Sequence, residues 1–111
     1  MRVGWQLARD PGLRSIVNEG EIVTGPERDY TVKVDANDLE PDAVYYYRFS
    51  SGGESSPVGR TRTLPAGAVD SVRFAVVSCS NYPYGYFHVY RDIAEQDDID
   101  AVLHLGDYLY E

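Results

Sequence analysis

The strongest constraint on this chain is a change of pattern at Leu64-Pro65-Ala66-Gly67-Ala68. Before it, apolar residues alternate with polar ones, as in half-buried strands. After it come a compact apolar run, a helical repeat and a second apolar run. A Pro/Gly/Ala stretch between two such patterns reads as a linker. The expected division is residues 1–64, a linker over 65–70, and residues 71–111. Charge divides at the same place. Residues 1–65 hold 8 basic and 10 acidic side chains, net −2, and residues 66–111 hold 2 and 8, net −6, which together make the −8 of the whole.

At 111 residues the chain suits one domain or two very small ones. Its 43% apolar and 13% aromatic content is globular, not disordered. No apolar run approaches the ~20 residues that span a bilayer. A net charge of −8 argues against duplex nucleic acid or an anionic membrane as partner, since both need a basic footprint. One cysteine, Cys79, allows no disulfide within this chain. The opening Met1-Arg2-Val3-Gly4-Trp5-Gln6 moves straight into polar alternation and reads as carrying no signal peptide.

Five strands are expected in the first half. Val3, Trp5 and Leu7 alternate with Gly4, Gln6 and Ala8, and Asp10-Pro11-Gly12 marks the turn that follows. Ser15 to Val23, Tyr30 to Val34, Val44 to Ser50 and Val58 to Thr63 are the others, the last two as a hairpin around Ser51-Gly52-Gly53. Tyr45, Tyr47 and Phe49 share one face of their strand, and with Trp5 read as core. Leu39-Glu40-Pro41-Asp42-Ala43-Val44-Tyr45 resembles the tyrosine corner of fibronectin type III domains, in which a phenol hydroxyl bonds back to nearby backbone. The resemblance implies an incomplete fibronectin type III-like β-sandwich. Such sandwiches have about seven strands, so two are expected before Met1.

In the second half, Ser71 to Val77 has the run expected of a strand buried on both faces. Ser78 to Tyr84 reads as a loop, Tyr86, Phe87, Tyr90, Ile93 and Ala94 recur at helical spacing, and Ile99 to Leu105 is again strand-like. Asp97-Asp98 suits the end of that helix poorly, because acids belong at the other terminus. Strand, helix, strand in about 35 residues predicts a βαβ unit with a parallel pair and a right-handed crossover.

Ligands of open parallel sheets bind beyond the carboxyl ends of the strands. Here those ends are Ser78-Cys79-Ser80-Asn81 and Gly106-Asp107-Tyr108-Leu109-Tyr110. The topology sets both on one edge and gathers a thiol, a carboxylate and one or two phenols. A carboxylate is a hard oxygen ligand able to bridge two ions, and a thiolate suits softer or redox-active ones. Phenolate holds ferric iron in some haem proteins. Two metals ~3.5–4 Å apart clamp a phosphoryl group and lower the pKa of a bound water.

Phe74-Ala75-Val76-Val77-Ser78-Cys79-Ser80-Asn81-Tyr82-Pro83, Gly85-Tyr86-Phe87 and His104-Leu105-Gly106-Asp107-Tyr108-Leu109-Tyr110-Glu111 resemble the alkaline phosphatase D (PhoD) family of metallophosphoesterases. The first half, ending Ser56-Pro57-Val58-Gly59-Arg60-Thr61-Arg62-Thr63-Leu64-Pro65, is similar to the β-sandwich that precedes that family's catalytic domain. The resemblance implies a partial sandwich followed by the start of an α/β metallophosphoesterase domain. It implies hydrolysis of phosphomonoesters or phosphodiesters, an extracytoplasmic setting, and a site with ferric iron and calcium. By motif, Cys79 would ligate iron, Asp107 would bridge iron and calcium, and Tyr110 would be the phenolate ligand in the Gly-Asp-x-x-Tyr pattern. The family's other ligands, an Asn and further Asp and His residues, have no counterpart motif before Glu111. The chain therefore reads as a fragment of a larger enzyme, inactive alone.

The remaining polar residues have plainer readings. His104, among apolar neighbours, is expected to be a hydrogen-bonded structural histidine, and His88 to be exposed. Asn81, Tyr82 and Tyr84 either line a substrate pocket or pack the loop. Asp92, Glu95, Asp97, Asp98 and Asp100 read as a solvated face, without the oxygen spacing of an EF-hand. The alternative function is a fibronectin-like binding module with a non-catalytic α/β tail, which has no need of a thiol, a carboxylate and a phenol at strand ends. On either reading two small units bury little core and leave strand edges unpaired. The isolated chain is expected to melt at low temperature or without a cooperative transition, or to self-associate.

Overall fold

The structure, a computed structural model, describes residues 1–110. It is mostly sheet with few helices, and it divides into two units between Gly67 and Ala68.

In the first unit, β1 (Arg2–Ala8) and β2 (Ile16–Val23) form an antiparallel pair with Trp5 opposite Gly20 and a bulge at Leu7/Ala8. The turn between them is closed by Asp10, whose carboxylate accepts from the backbone N–H groups of Ser15 (2.7 Å) and Arg14 (3.0 Å). Those bonds, Ser15 first, favour the ionised carboxylate and lower the Asp10 pKa. The other edge of β1 pairs with β3 (Val44–Ser51), Trp5 opposite Phe49 and Leu7 opposite Tyr47. β3 continues through Gly52 and Gly53, both at positive φ, into β4 (Glu54–Ser55), and pairs at its start with β5 (Gly59–Arg62). The result is one five-stranded antiparallel sheet.

The register puts Val3, Trp5, Leu7, Tyr45, Tyr47 and Phe49 on one face. Val3, Leu7 and Tyr45 are buried there. The buried Tyr45 hydroxyl accepts the Glu40 backbone N–H at 3.0 Å, the bond expected of a tyrosine corner. Thr63 clamps the same corner: its hydroxyl donates to the Glu40 carbonyl (2.6 Å) and accepts from the Ala43 N–H (3.0 Å).

Two expectations fail in this unit. Tyr30 to Val34 is not a strand. A 3-10 turn at Pro26–Arg28 and left-handed backbone at Asp29 and Tyr30 redirect the chain, and the segment then runs without a ladder. β1 and β3 are already paired along both edges, and the redirected segment pairs with neither of the open edges at β2 and β5. Tyr47 is exposed rather than core. Its cross-strand neighbour is Gly59, and the ring lies over that glycine at the rim of the sheet, where a Cβ would come 2.3 Å from Tyr47 Cζ.

In the second unit, β6 (Phe74–Val77) and β7 (Ala101–His104) pair in parallel, Val77 beside His104. The Arg73 backbone N–H donates to the Asp100 carboxylate at 2.8 Å, and Arg73 pairs with Asp98, so these acids anchor the strand starts. The expected single helix is two pieces. α1 (Tyr82–Gly85) is one turn inside the expected loop, and α2 (His88–Ala94) follows after Tyr86 and Phe87, both left-handed. An aromatic cluster holds this break: Tyr82 meets the rings of Tyr86 and Phe87 edge-on at 5.4 and 5.2 Å, and Phe87 meets Tyr90 at 5.6 Å. β6 is not covered on both faces: Phe74 and Val76 are exposed. One crossover helix covers one face only, and Tyr90 of α2 stacks on His104, on the side shared with Val77.

Candidate metal centre

Parallel pairing sends β6 and β7 out of the sheet at the same edge. The two exit loops are then joined by backbone bonds. Cys79 N–H donates to the Gly106 carbonyl (3.1 Å), Ser80 N–H to the Asp107 carbonyl (2.8 Å), and Tyr110 N–H to the Ser80 carbonyl (3.3 Å). Both loops turn sharply to do this: Cys79 has φ 62°, Gly106 121° and Asp107 50°. Left-handed backbone is costly for residues with a Cβ and gathers at functional sites.

These turns bring Cys79, Asp107 and Tyr110 together. Cys79 Sγ lies 3.7 Å from Asp107 Oδ2. The Tyr110 phenol stands beside the side chains of Cys79 and Asp107. Their influence, Cys79 first and then Asp107, favours the protonated phenol and pushes the Tyr110 pKa above its ordinary value. All three side chains are open to solvent. Thiol, carboxylate and phenol are each groups able to donate to a metal ion. Among the described residues no third His, Cys, Asp or Glu joins them.

Residues 1–65 match the family described as PhoD-like phosphatase, N-terminal domain, and residues 74–111 match the PhoD-like phosphatase family. The chain belongs to the PhoD-like phosphatase family. It is 48% identical to alkaline phosphatase D of Bacillus subtilis (strain 168), over 98% of this chain and 19% of that protein. It is similar to a solved structure titled "Structure of PhoD", with a TM-score of 0.87 and 45% identity, over 99% of this chain and 21% of that one. The chain thus spans about a fifth of the length of these PhoD relatives.

Cys79 of this PhoD segment lines a cleft of about 270 Å³, together with Ser80, Asn81, Gly85, Phe87 and His88 among others. Asn81 Oδ1 is buried there and finds no hydrogen-bond partner among the described residues. Of the other loop aromatics, Tyr82 packs into the ring cluster and Tyr84 is fully out in solvent.

His104 is hydrogen-bonded, as its apolar surroundings suggested. Its Nδ1 accepts the Gly106 N–H (3.3 Å), and its Nε2 lies 3.1 Å from Ser80 Oγ and 3.0 Å from the Tyr90 hydroxyl. Ser80 is only 6% exposed. Sequence reasoning passed over Ser80 and Tyr90. The available signal was weak: a serine directly after the strand-end cysteine, and a tyrosine on the helix.

Proposed function

We propose that this chain is part of a phosphate ester hydrolase, acting on phosphomonoesters or phosphodiesters, in which Cys79, Asp107 and Tyr110 supply part of a site for ferric iron and calcium. The observation that carries the reading is the convergence of a thiol, a carboxylate and a phenol at the carboxyl edge of a parallel pair. Charge supports it. Residues 66–111 hold 2 basic and 8 acidic side chains. Arg73 is tied to Asp98 at the far end of β6, and Arg91 lies against His88. An anionic phosphate near Asp107 therefore needs cations from outside the side-chain set.

Asp107 has two oxygens with which to span two cations. Tyr110 would hold a metal as its phenolate. Asn81 lines the adjacent cleft, and its buried, unpartnered side-chain oxygen is a spare acceptor beside the site. The cations, when bound, neutralise phosphoryl oxygen charge and acidify water. The first unit belongs, on this reading, to a fibronectin-like sandwich whose second layer lies elsewhere in the parent. The parent works outside the cytoplasm, where a lone thiol is protected from oxidation by ligation. A bare binding module would account for the first unit but leaves the three convergent donors without a role.

Ferric iron added to the chain should produce a visible phenolate-to-iron charge-transfer band. Tyr110→Phe should abolish it, and Cys79→Ala and Asp107→Asn should weaken iron uptake. A band that survives all three substitutions, or no uptake by the unmodified chain, refutes the site. Hydrolysis of p-nitrophenyl phosphate should stay at background, because the ligand set is partial. Robust metal-dependent turnover by the 111 residues refutes that part.

A further inference from the structure

The three donors come from two loops, and something must set the distance between those loops. Ser80 touches every part of the junction. Its N–H donates to the Asp107 carbonyl and its carbonyl accepts from the Tyr110 N–H. Its side chain turns the other way, into the unit, to contact the Tyr90 hydroxyl and His104 Nε2. His104 in turn holds the second loop through the Gly106 N–H, while the Gly106 carbonyl accepts from Cys79. Because Nδ1 accepts that bond, the neutral imidazole carries its proton on Nε2 and donates it to the Ser80–Tyr90 hydroxyl pair. Tyr108 closes the other side of the ring at 5.0 Å.

We propose that Ser80, locked by the Tyr90 hydroxyl and the His104 imidazole, is the positioning residue that holds Asp107 and Tyr110 against Cys79. Ser80, Tyr90 and His104 touch none of the three donor side chains in this arrangement; they act through the backbone of the loops. The use made of the donors rests on the metal-site reading above. Their placement by Ser80 does not.

The geometry explains an otherwise costly combination. Cys79 and Asp107 both sit at positive φ, which the surroundings must over-determine. Ser80 lies beside Cys79 in sequence and is bonded to Asp107 across the gap. Ser80 is buried, while Cys79, Gly106, Asp107 and Tyr110 around it are exposed. A polar group buried at that point is favourable only with its hydrogen bonds made. Losing the hydroxyl therefore frees the junction from the rest of the unit.

The test is amide hydrogen exchange by NMR on the full 111-residue chain without metal, together with the alkylation rate of Cys79, its sole thiol. In Ser80→Ala, the Cys79, Ser80 and Tyr110 amides should exchange about tenfold faster, the loss expected for one or two buried hydrogen bonds. The Leu105 amide, which donates to Val77 at the end of the ladder, should keep its protection. Cys79 alkylation should change with the loop amides. Tyr90→Phe keeps the ring and removes one hydroxyl, so it should show the same pattern more weakly, and it serves if Ser80→Ala does not fold.

Equal loss at Leu105 and the loop amides in both variants means a general structural role and overturns the proposal. So does an unchanged pattern, or a wild-type chain with no protection at the loop amides. Ferric titration of the same samples separates the two readings. A selective loss of loop protection in a chain that takes up no iron supports the positioning role and refutes the metal site. Iron uptake unaltered by Ser80→Ala, with unchanged amides, does the reverse.

Discussion

Replacing Tyr45 by Phe should destabilise the first unit by about 1 kcal/mol, and by no more than about 3 kcal/mol. The ring is 1% exposed, and Phe fills the same space, so no cavity opens. Arg9 stays 5.6 Å above the ring, so the cation–π contact survives. What goes is one acceptor, the hydroxyl that takes the Glu40 N–H at 3.0 Å. That amide is only partly buried, so water replaces some of the bond, and the lower figure applies. Tyr45→Ala removes ring, hydroxyl and cation–π contact together and should cost about 3–5 kcal/mol. Thr63 holds the same Glu40 through its carbonyl. Tyr45→Phe and Thr63→Val should therefore couple, with a double-mutant term of about 0.5 kcal/mol or more. Urea unfolding followed by Trp5 fluorescence is the assay, since Trp5 is the sole tryptophan and sits in β1. The Glu40 amide should also lose exchange protection. A Phe variant within about 0.3 kcal/mol of wild type, or one as weak as the Ala variant, refutes the corner's role.

Two further predictions concern the loops. Gly106 has φ 121° with open space where a Cβ would go, so Gly106→Ala should cost about 1–3 kcal/mol through backbone strain alone and displace Asp107; a Leu105 and Cys79 amide pattern identical to wild type would count against this. Tyr110, its pKa raised by Cys79 and Asp107, should remain protonated above the ordinary tyrosine range in an ultraviolet titration of the metal-free chain. A raised pKa means the contribution is fully present below pH 10 and is lost as pH rises through the folded value. Cys79→Ala should return the titration towards 10, and a Tyr110 that already titrates normally would remove the cluster.

Much of this was legible in the residues. Alternation in Arg2–Ala8 and Val44–Ser51 yields strands because each has one face against the core and one against solvent. The Leu-x-Pro-x-x-x-Tyr run yields a corner because a phenol at that spacing reaches back to Glu40. Where the reading failed, the cause was not local. Tyr30 to Val34 has β-forming residues, but the 3-10 turn at Pro26–Arg28 and the left-handed Asp29 and Tyr30 carry it past the open edges of the sheet without a ladder. Tyr47 has the pattern of a core residue but a glycine as its neighbour across the strands. The helix after Asn81 breaks at two aromatics whose spacing alone is helical.

For the candidate site, the order of strand, helix and strand was enough to put Cys79 and Asp107 on one edge, because parallel strands joined by a crossover exit the sheet on the same side. Residue type supplied the donor chemistry. The 3.7 Å approach of Cys79 to Asp107, the setting that raises the Tyr110 pKa, and the Ser80–Tyr90–His104 lock behind them belong to tertiary structure alone. Residues 80, 90 and 104 meet only after the chain has crossed from one strand to the next. Their hydrogen bonds depend on that closure, and no local pattern encodes a distance between two loops.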